Sequence, residues 1–147
     1  MSDYLELAIE QAEKSLREGG IPIGSVLVCN GKMLGKGHNQ RIQKGNPILH
    51  GEMDALQNAG RLSADIYKKS TLYTTLSPCD MCSGAILLLG IPHVVIGENQ
   101  TFTGAEELLK SRGVNVEVRQ NNRCIEVMQL FIRKHPEIWH EDIALVV

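Results

Sequence analysis

What is scarce in this chain narrows its class first. Aromatic residues make up only 4%, with 2 Phe, 3 Tyr and 1 Trp, so there is no run of flat rings on which a polynucleotide could stack its bases. An excess of one charge is missing as well. Lys and Arg number 15 against 17 Asp and Glu, and a net charge of -2 offers no basic field to a phosphate backbone or an anionic membrane. The longest apolar run, Ala85-Ile86-Leu87-Leu88-Leu89, is far short of a membrane-spanning helix. Residues 1–20 are rich in Glu and lack the basic start and apolar core of a secretion signal, so a cytoplasmic setting is expected. Cysteine is sparse, and a chain of this size can bury an ordinary core without disulfide staples. Cys29, Cys79, Cys82 and Cys124 therefore lean toward reduced thiols or metal ligands.

What is present is an ordinary globular composition, 43% hydrophobic and 22% charged over 147 residues, which fits one domain spanning 1–147. Asp3-x-x-Glu6 resembles a capping box. Leu5, Ala8, Ile9, Ala12 and Leu16 then keep helical spacing up to Gly19-Gly20. Residues 25–29 and 32–36 read as strands joined by Asn30-Gly31, the strongest short hairpin signal. Residues 38–49 read as a polar loop, 50–59 as a helix and 71–75 as a strand. A helix over 79–89, a strand over 93–96, a helix over 104–112, a strand over 114–118 and a helix over 121–134 follow. Pro136 separates the last helix from a short terminal segment around Trp139 and Asp142. The order αββαβαβαβα predicts a three-layer α/β domain, with parallel pairing wherever a helix makes the crossover.

Two short motifs carry chemistry. His50-Gly51-Glu52 stands at one predicted helix start, and Pro78-Cys79-Asp80-Met81-Cys82 stands at the next, directly after a strand. Two thiols three residues apart at a helix N-terminus can face one point, where the helix dipole and free N–H groups favour thiolates. His50 supplies a third ligand, and three protein ligands with a vacant fourth position are what a catalytic zinc site needs. Glu52 is too close to His50 to be a comfortable fourth ligand, but it suits proton transfer to and from a zinc-bound water. Two plainer readings stand beside this one. Cys79-x-x-Cys82 is also the spacing of a thioredoxin-like redox pair, which leaves His50 and Glu52 without a role. A closed structural zinc site would draw its fourth ligand from Cys29, Cys124 or His38.

The order H-x-E followed by P-C-x-x-C is the zinc-deaminase signature. The chain resembles the small fungal-type cytosine deaminases of the cytidine-deaminase-like superfamily over nearly its whole length. The resemblance rests on Glu18-Gly19-Gly20-Ile21-Pro22-Ile23-Gly24, Gly35-Lys36-Gly37-His38-Asn39, Leu49-His50-Gly51-Glu52 and the stretch from Leu72 to Cys82. Gly97-Glu98-Asn99 leading to Phe102, and Trp139-His140-Glu141-Asp142-Ile143, extend it. Asn39, Phe102 and Trp139-x-x-Asp142 are the parts most specific to the cytosine branch.

The resemblance implies a three-layer α/β/α sandwich with a five-stranded mixed sheet, one zinc per chain, and a homodimer. It assigns His50, Cys79 and Cys82 to the metal and Glu52 to proton transfer, with zinc-bound hydroxide attacking ring C4 of free cytosine to give uracil and ammonia in pyrimidine salvage. Asn39 and the Gly51 backbone would hold the carbonyl edge of the base. The Ser77 backbone and Asp142 would meet its amino side, and Ile23, Phe102 and Trp139 would wall the ring. Residues 137–147 would form a lid over the site. Asp142, close to the C-terminus, is expected to be exposed in the free protein and to support little structure. His140 departs from the pattern, which has an aromatic residue beside Trp139, and the tail Ala144-Leu145-Val146-Val147 is apolar. Isocytosine, a 5-substituted cytosine or guanine is the nearest alternative substrate. Adenosine in tRNA and a non-catalytic zinc-binding role lie further off. Neither a nucleic-acid nor a membrane partner is expected.

Overall fold

The computed structural model describes residues 3–146, so Val147 of the expected lid and the first two residues of the expected domain lie outside it. Helix α1 (Tyr4–Arg17) starts where the Asp3 side chain accepts the Leu5 N–H at 3.0 Å, the capping role expected of Asp3. Strands β1 (Gly24–Cys29) and β2 (Lys32–His38) form the predicted hairpin. Its turn residues Asn30 and Gly31 both take positive φ, 50° and 73°, as a twist-matched two-residue turn requires.

The rest of the chain alternates as expected. Helix α3 (Gly51–Ala59) precedes β3 (Ser70–Thr74), and α5 (Asp80–Leu89) leads to β4 (His93–Ile96). Helix α6 (Glu106–Ser111) leads to β5 (Asn115–Val118), followed by α7 (Asn122–Lys134) and α8 (Pro136–Asp142). Two single-turn helices, α2 (Arg41–Lys44) and α4 (Ala64–Tyr67), occupy segments that carry no readable periodicity.

The five strands form one mixed sheet in the order β2-β1-β3-β4-β5. β1 is antiparallel to both neighbours, while β3, β4 and β5 run parallel. β2 and β3 therefore point the same way on either side of β1, and each helical crossover joins parallel strands, as expected.

Side-chain alternation on β1 divides the core. Val26 and Val28 pack with Leu5, Ala8 and Ile9 of α1 on one face. Leu27 points the other way, toward Leu56, Leu72, Ile86 and Val94. The layering lets α3 lie very close to the sheet, where a Cβ at Gly37 would run into the Ala55 backbone. A third cluster, Ile21, Ile23, Leu76, Met128, Phe131 and Trp139, closes one end of the sheet and fastens α8 there. Among the described residues no helix is long and apolar enough to cross a membrane.

Candidate active site

Because β2 and β3 are parallel, the helices that follow them start at the same edge of the sheet. There His50 caps α3 and Cys79 caps α5, both in extended conformation. Their side chains meet, with His50 Nδ1 3.4 Å from Cys79 Sγ. One donor atom each from His50, Cys79 and Cys82 lies within 4.8 Å of the other two, and this is the one such His/Cys/Asp/Glu group among the described residues. The other ring nitrogen, His50 Nε2, faces Asp142 Oδ1 at 3.3 Å. A carboxylate at Nε2 keeps the ring proton on that side and leaves the Nδ1 lone pair for a metal.

The electrostatics fit a cation at this point. Hydrogen bonding with Cys82, reinforced by His50, outweighs burial and brings the Cys79 thiol down to about 4. Hydrogen bonding to that thiolate and burial together push Cys82 well above the usual thiol range. Burial alone would depress His50, but Asp142 and Cys79 overcome it and raise the imidazole to about 10. Without a metal, the anionic cluster thus holds a proton on His50, and a bound zinc would take over that positive charge. Two sulfurs and one imidazole nitrogen make a zinc donor set, and three ligands leave one position open.

Glu52 lies beside this group and outside it. It is buried in α3, and burial, opposed by His50, lifts its carboxyl to about 7. The residues proposed for a closed structural site lie elsewhere. Cys124 packs against α1 with its thiol pushed by burial to about 12, Cys29 ends β1, and His38 contacts Glu18 at 2.8 Å. The site is an open one.

A cavity of about 20 Å³ adjoins the donors, bounded by His50, Glu52, Cys79 and, among the predicted wall and amino-side residues, Ile23, Ser77, Phe102, Trp139 and Asp142. This is room for a water and less than a pyrimidine ring. Phe102 and Trp139 meet edge to face, with centroids 5.7 Å apart. A wider mouth of about 610 Å³ opens outside it, reaching Arg41, Pro47 and Glu141. A separate groove of about 270 Å³ between α1 and α7 holds none of these residues.

Asn39 and Gly51 do not line the inner cavity. Asn39 is fully buried behind it, with Oδ1 accepting the Arg41 N–H at 2.9 Å and Nδ2 reaching Asp142 Oδ2 at 3.5 Å. Gly51 opens α3, so its N–H has no partner within the helix. Leu76 and Ile143 also line the cavity, and sequence reasoning assigned Leu76 no role and Ile143 none beyond its place in the lid. Ile143 had a signal, since it stands one helical turn after Trp139 and so shares its face.

The loop carrying Phe102 is fixed from both ends. Buried Glu98 accepts the N–H groups of Gln100 and Thr101 at 2.7 and 2.9 Å. Ser77 Oγ donates to buried Glu106 at 2.6 Å and accepts the Gly104 N–H at 2.9 Å. A Cβ at Gly104 would collide with the Pro78 carbonyl, so only glycine lets this loop press on the turn before Cys79.

Asp142 corrects one expectation. It is buried, not solvated, because α8 carries it inward between His50 and Asn39. Asp142→Ala would remove the carboxylate that faces His50 Nε2 and Asn39 Nδ2, at about 1–3 kcal/mol for a buried group left unsatisfied. A melting temperature lower by several degrees, together with weaker zinc retention, is the expected result. Thermal unfolding and metal analysis of the variant check both.

Comparison with known proteins bears on the same residues. The family model for the cytidine and deoxycytidylate deaminase zinc-binding region matches residues 1–98, a stretch that contains His50, Glu52, Cys79 and Cys82. The chain belongs to this zinc-dependent deaminase family. One member, the cytosine deaminase of Candida albicans, is 55% identical over 141 residues, covering 95% of this chain and 94% of its own. Another, the tRNA-specific adenosine deaminase of Streptococcus pyogenes, is 38% identical, covering 91% of each chain. The solved guanine deaminase of Nitrosomonas europaea superposes with a TM-score of 0.74 at 17% identity, over 86% of this chain and 81% of that one. That likeness shows the deaminase fold.

Proposed function

We propose that the protein hydrolyses free cytosine to uracil and ammonia. The observation that carries this reading is the closure of the zinc-donor cavity by Trp139, Asp142 and Ile143, which leaves no space beside the donors for an attached sugar. The 55% identity to a cytosine deaminase across nearly the full length of both chains supports it. The relatives that act on tRNA are more distant, and the net charge of -2 offers a polynucleotide no electrostatic attraction.

His50, Cys79 and Cys82 hold the zinc, one per chain, and the chemistry the metal supplies when bound is activation of a water for attack at the aminated ring carbon. Glu52 would take one proton from that water and give it to ring N3, then take the second from the hydroxyl left on the ring carbon and give it to the leaving amino nitrogen. The Gly51 N–H and the Asn39 amide hold the base's carbonyl edge. Asn39 Nδ2 has only a 3.5 Å contact to give up. Asp142 and the Ser77 carbonyl accept from the amino group, which fixes the carbon to be attacked. Ile23, Phe102 and Trp139 wall the ring and exclude water. The inner cavity is smaller than the base, so residues 137–147 act as a lid that moves aside on entry and exit.

The domain spans the chain as one deaminase unit. It acts as a homodimer, in whose contact surface Leu88 of α5, 85% exposed, would be covered. Its thiol ligands suit the reducing cytoplasm.

Ammonia release from cytosine, cytidine, deoxycytidine, guanine and tRNA, at equal enzyme concentration, tests the substrate. Cytosine should exceed the nucleosides by at least about 10²-fold, the scale on which a site rejects a group it cannot place. Comparable rates on cytidine would transfer the protein to nucleoside chemistry.

A further inference from the structure

Helix α8 has Glu137 in its first turn, as the helix dipole favours, but ends on two carboxylates that a free helix would not favour. Glu141 and Asp142 stand together in its last turn, where the helix dipole is negative and carboxylates are disfavoured. Among the described residues, apart from the His135–Glu137 contact at its own start, the ion pairs tying α8 to the body of the protein are made by Arg41 and His50. His50 belongs to the zinc site. Arg41 does not, and it lies about a hundred positions earlier in the chain, at the same mouth as Glu141 and Asp142.

The Arg41 side chain is only 17% exposed. Nη2 donates to Glu141 Oε1 at 3.2 Å, and Nη1 stands 3.9 Å from Asp142 Oδ1. Its Nε and Asp142 Oδ1 are both buried without a hydrogen-bond partner, so the guanidinium sits against α8 mainly as a charge. Its backbone N–H meanwhile fixes Asn39 Oδ1 at 2.9 Å. One residue thus touches the loop carrying Asn39 and the helix carrying Trp139 and Asp142. The contact to Glu141, 62% exposed, is worth little by itself. The contact to buried Asp142 matters more, because among the described residues Arg41 is the one permanently charged cation within 4 Å of that carboxylate.

We propose that Arg41 is a positioning residue that latches α8 across the mouth, and that this latch sets the preference for a free base over a nucleoside. The selectivity half rests on the cytosine reading above; the latch half does not. A ribose attached to the base would project toward the mouth that Arg41, Glu141 and Asp142 line, so a loosened latch makes room for it.

The chain's single Trp is Trp139 on α8, so intrinsic fluorescence reports the docking of this helix without any substrate. In Arg41→Gln, Trp139 emission should shift to the red and acrylamide should quench it more strongly, with zinc content unchanged. The kcat/KM for cytosine should fall about tenfold, mostly through KM, and the cytosine-to-cytidine ratio should fall by a similar factor. Arg41→Lys, which keeps the charge and loses the fork, should recover part of each change. Glu141→Gln should alter them less than threefold or so, as expected of an exposed pair. Should Arg41→Gln unfold, Arg41→Lys carries the same comparison against the parent. Emission and quenching identical to the parent in Arg41→Gln, or in Arg41→Lys in its place, would overturn the latch. An unchanged cytosine-to-cytidine ratio with altered quenching would overturn the selectivity role. A parent enzyme inactive on cytosine would refute the substrate reading, and the quenching comparison would still decide the latch.

Discussion

Glu52→Gln lowers turnover of cytosine by about 10²–10⁴-fold, the span of general acid–base catalysis, while zinc content and melting temperature stay close to the parent's. The expectation follows from where Glu52 stands. It borders the cavity beside His50 and Cys79 but is outside the group of converging metal donors. Gln preserves its volume and its hydrogen-bonding reach, so packing within α3 has no reason to change. What is lost is the ability to carry two protons in turn, the first from water to N3 and the second from the added hydroxyl to the leaving amino nitrogen. Initial rates of ammonia release and metal analysis on the same preparation check both halves. If the variant loses its zinc, Glu52 is a ligand and the assignment of roles fails.

Cys82→Ala has the larger effect, because it removes a ligand. Cys82 is fully buried at the start of α5 and shares its proton with Cys79, so no solvent molecule readily substitutes for its sulfur. The variant should lose most of its zinc and all measurable activity. Its melting temperature should fall toward that of metal-stripped parent, since a ligand that binds only the folded state stabilises it by mass action. Zinc content, ammonia release and thermal unfolding, measured side by side with the parent, check this. Normal zinc content in Cys82→Ala would remove Cys82 from the site.

The local signals explain which parts of this account could be read from the sequence. The hairpin at Asn30-Gly31, the capped start of α1 and the alternation of strands with helices all depend on neighbours a few residues apart. So does the pairing of Cys79 with Cys82. α2 and α4 were missed because one turn is too short to show a repeat. Asp142 was misread for a different reason. An acidic residue near a chain end is ordinarily solvated, and only the folding of α8 against His50, Asn39 and Arg41 buries it. Arg41 itself was invisible, since its side-chain partners lie 100 or more positions away and it belongs to no motif. Leu76 likewise acquires its place in the cavity only when the turn after β3 meets α8.

The central claim is that zinc held by His50, Cys79 and Cys82 deaminates free cytosine. The most direct test strips the purified protein of metal with a chelator, adds zinc back in steps, and follows ammonia release from cytosine at each step. The account predicts no activity in the stripped protein, a linear recovery, and a plateau at about one zinc per chain. Full activity in the stripped protein, or a restored zinc site that leaves cytosine untouched, would contradict it.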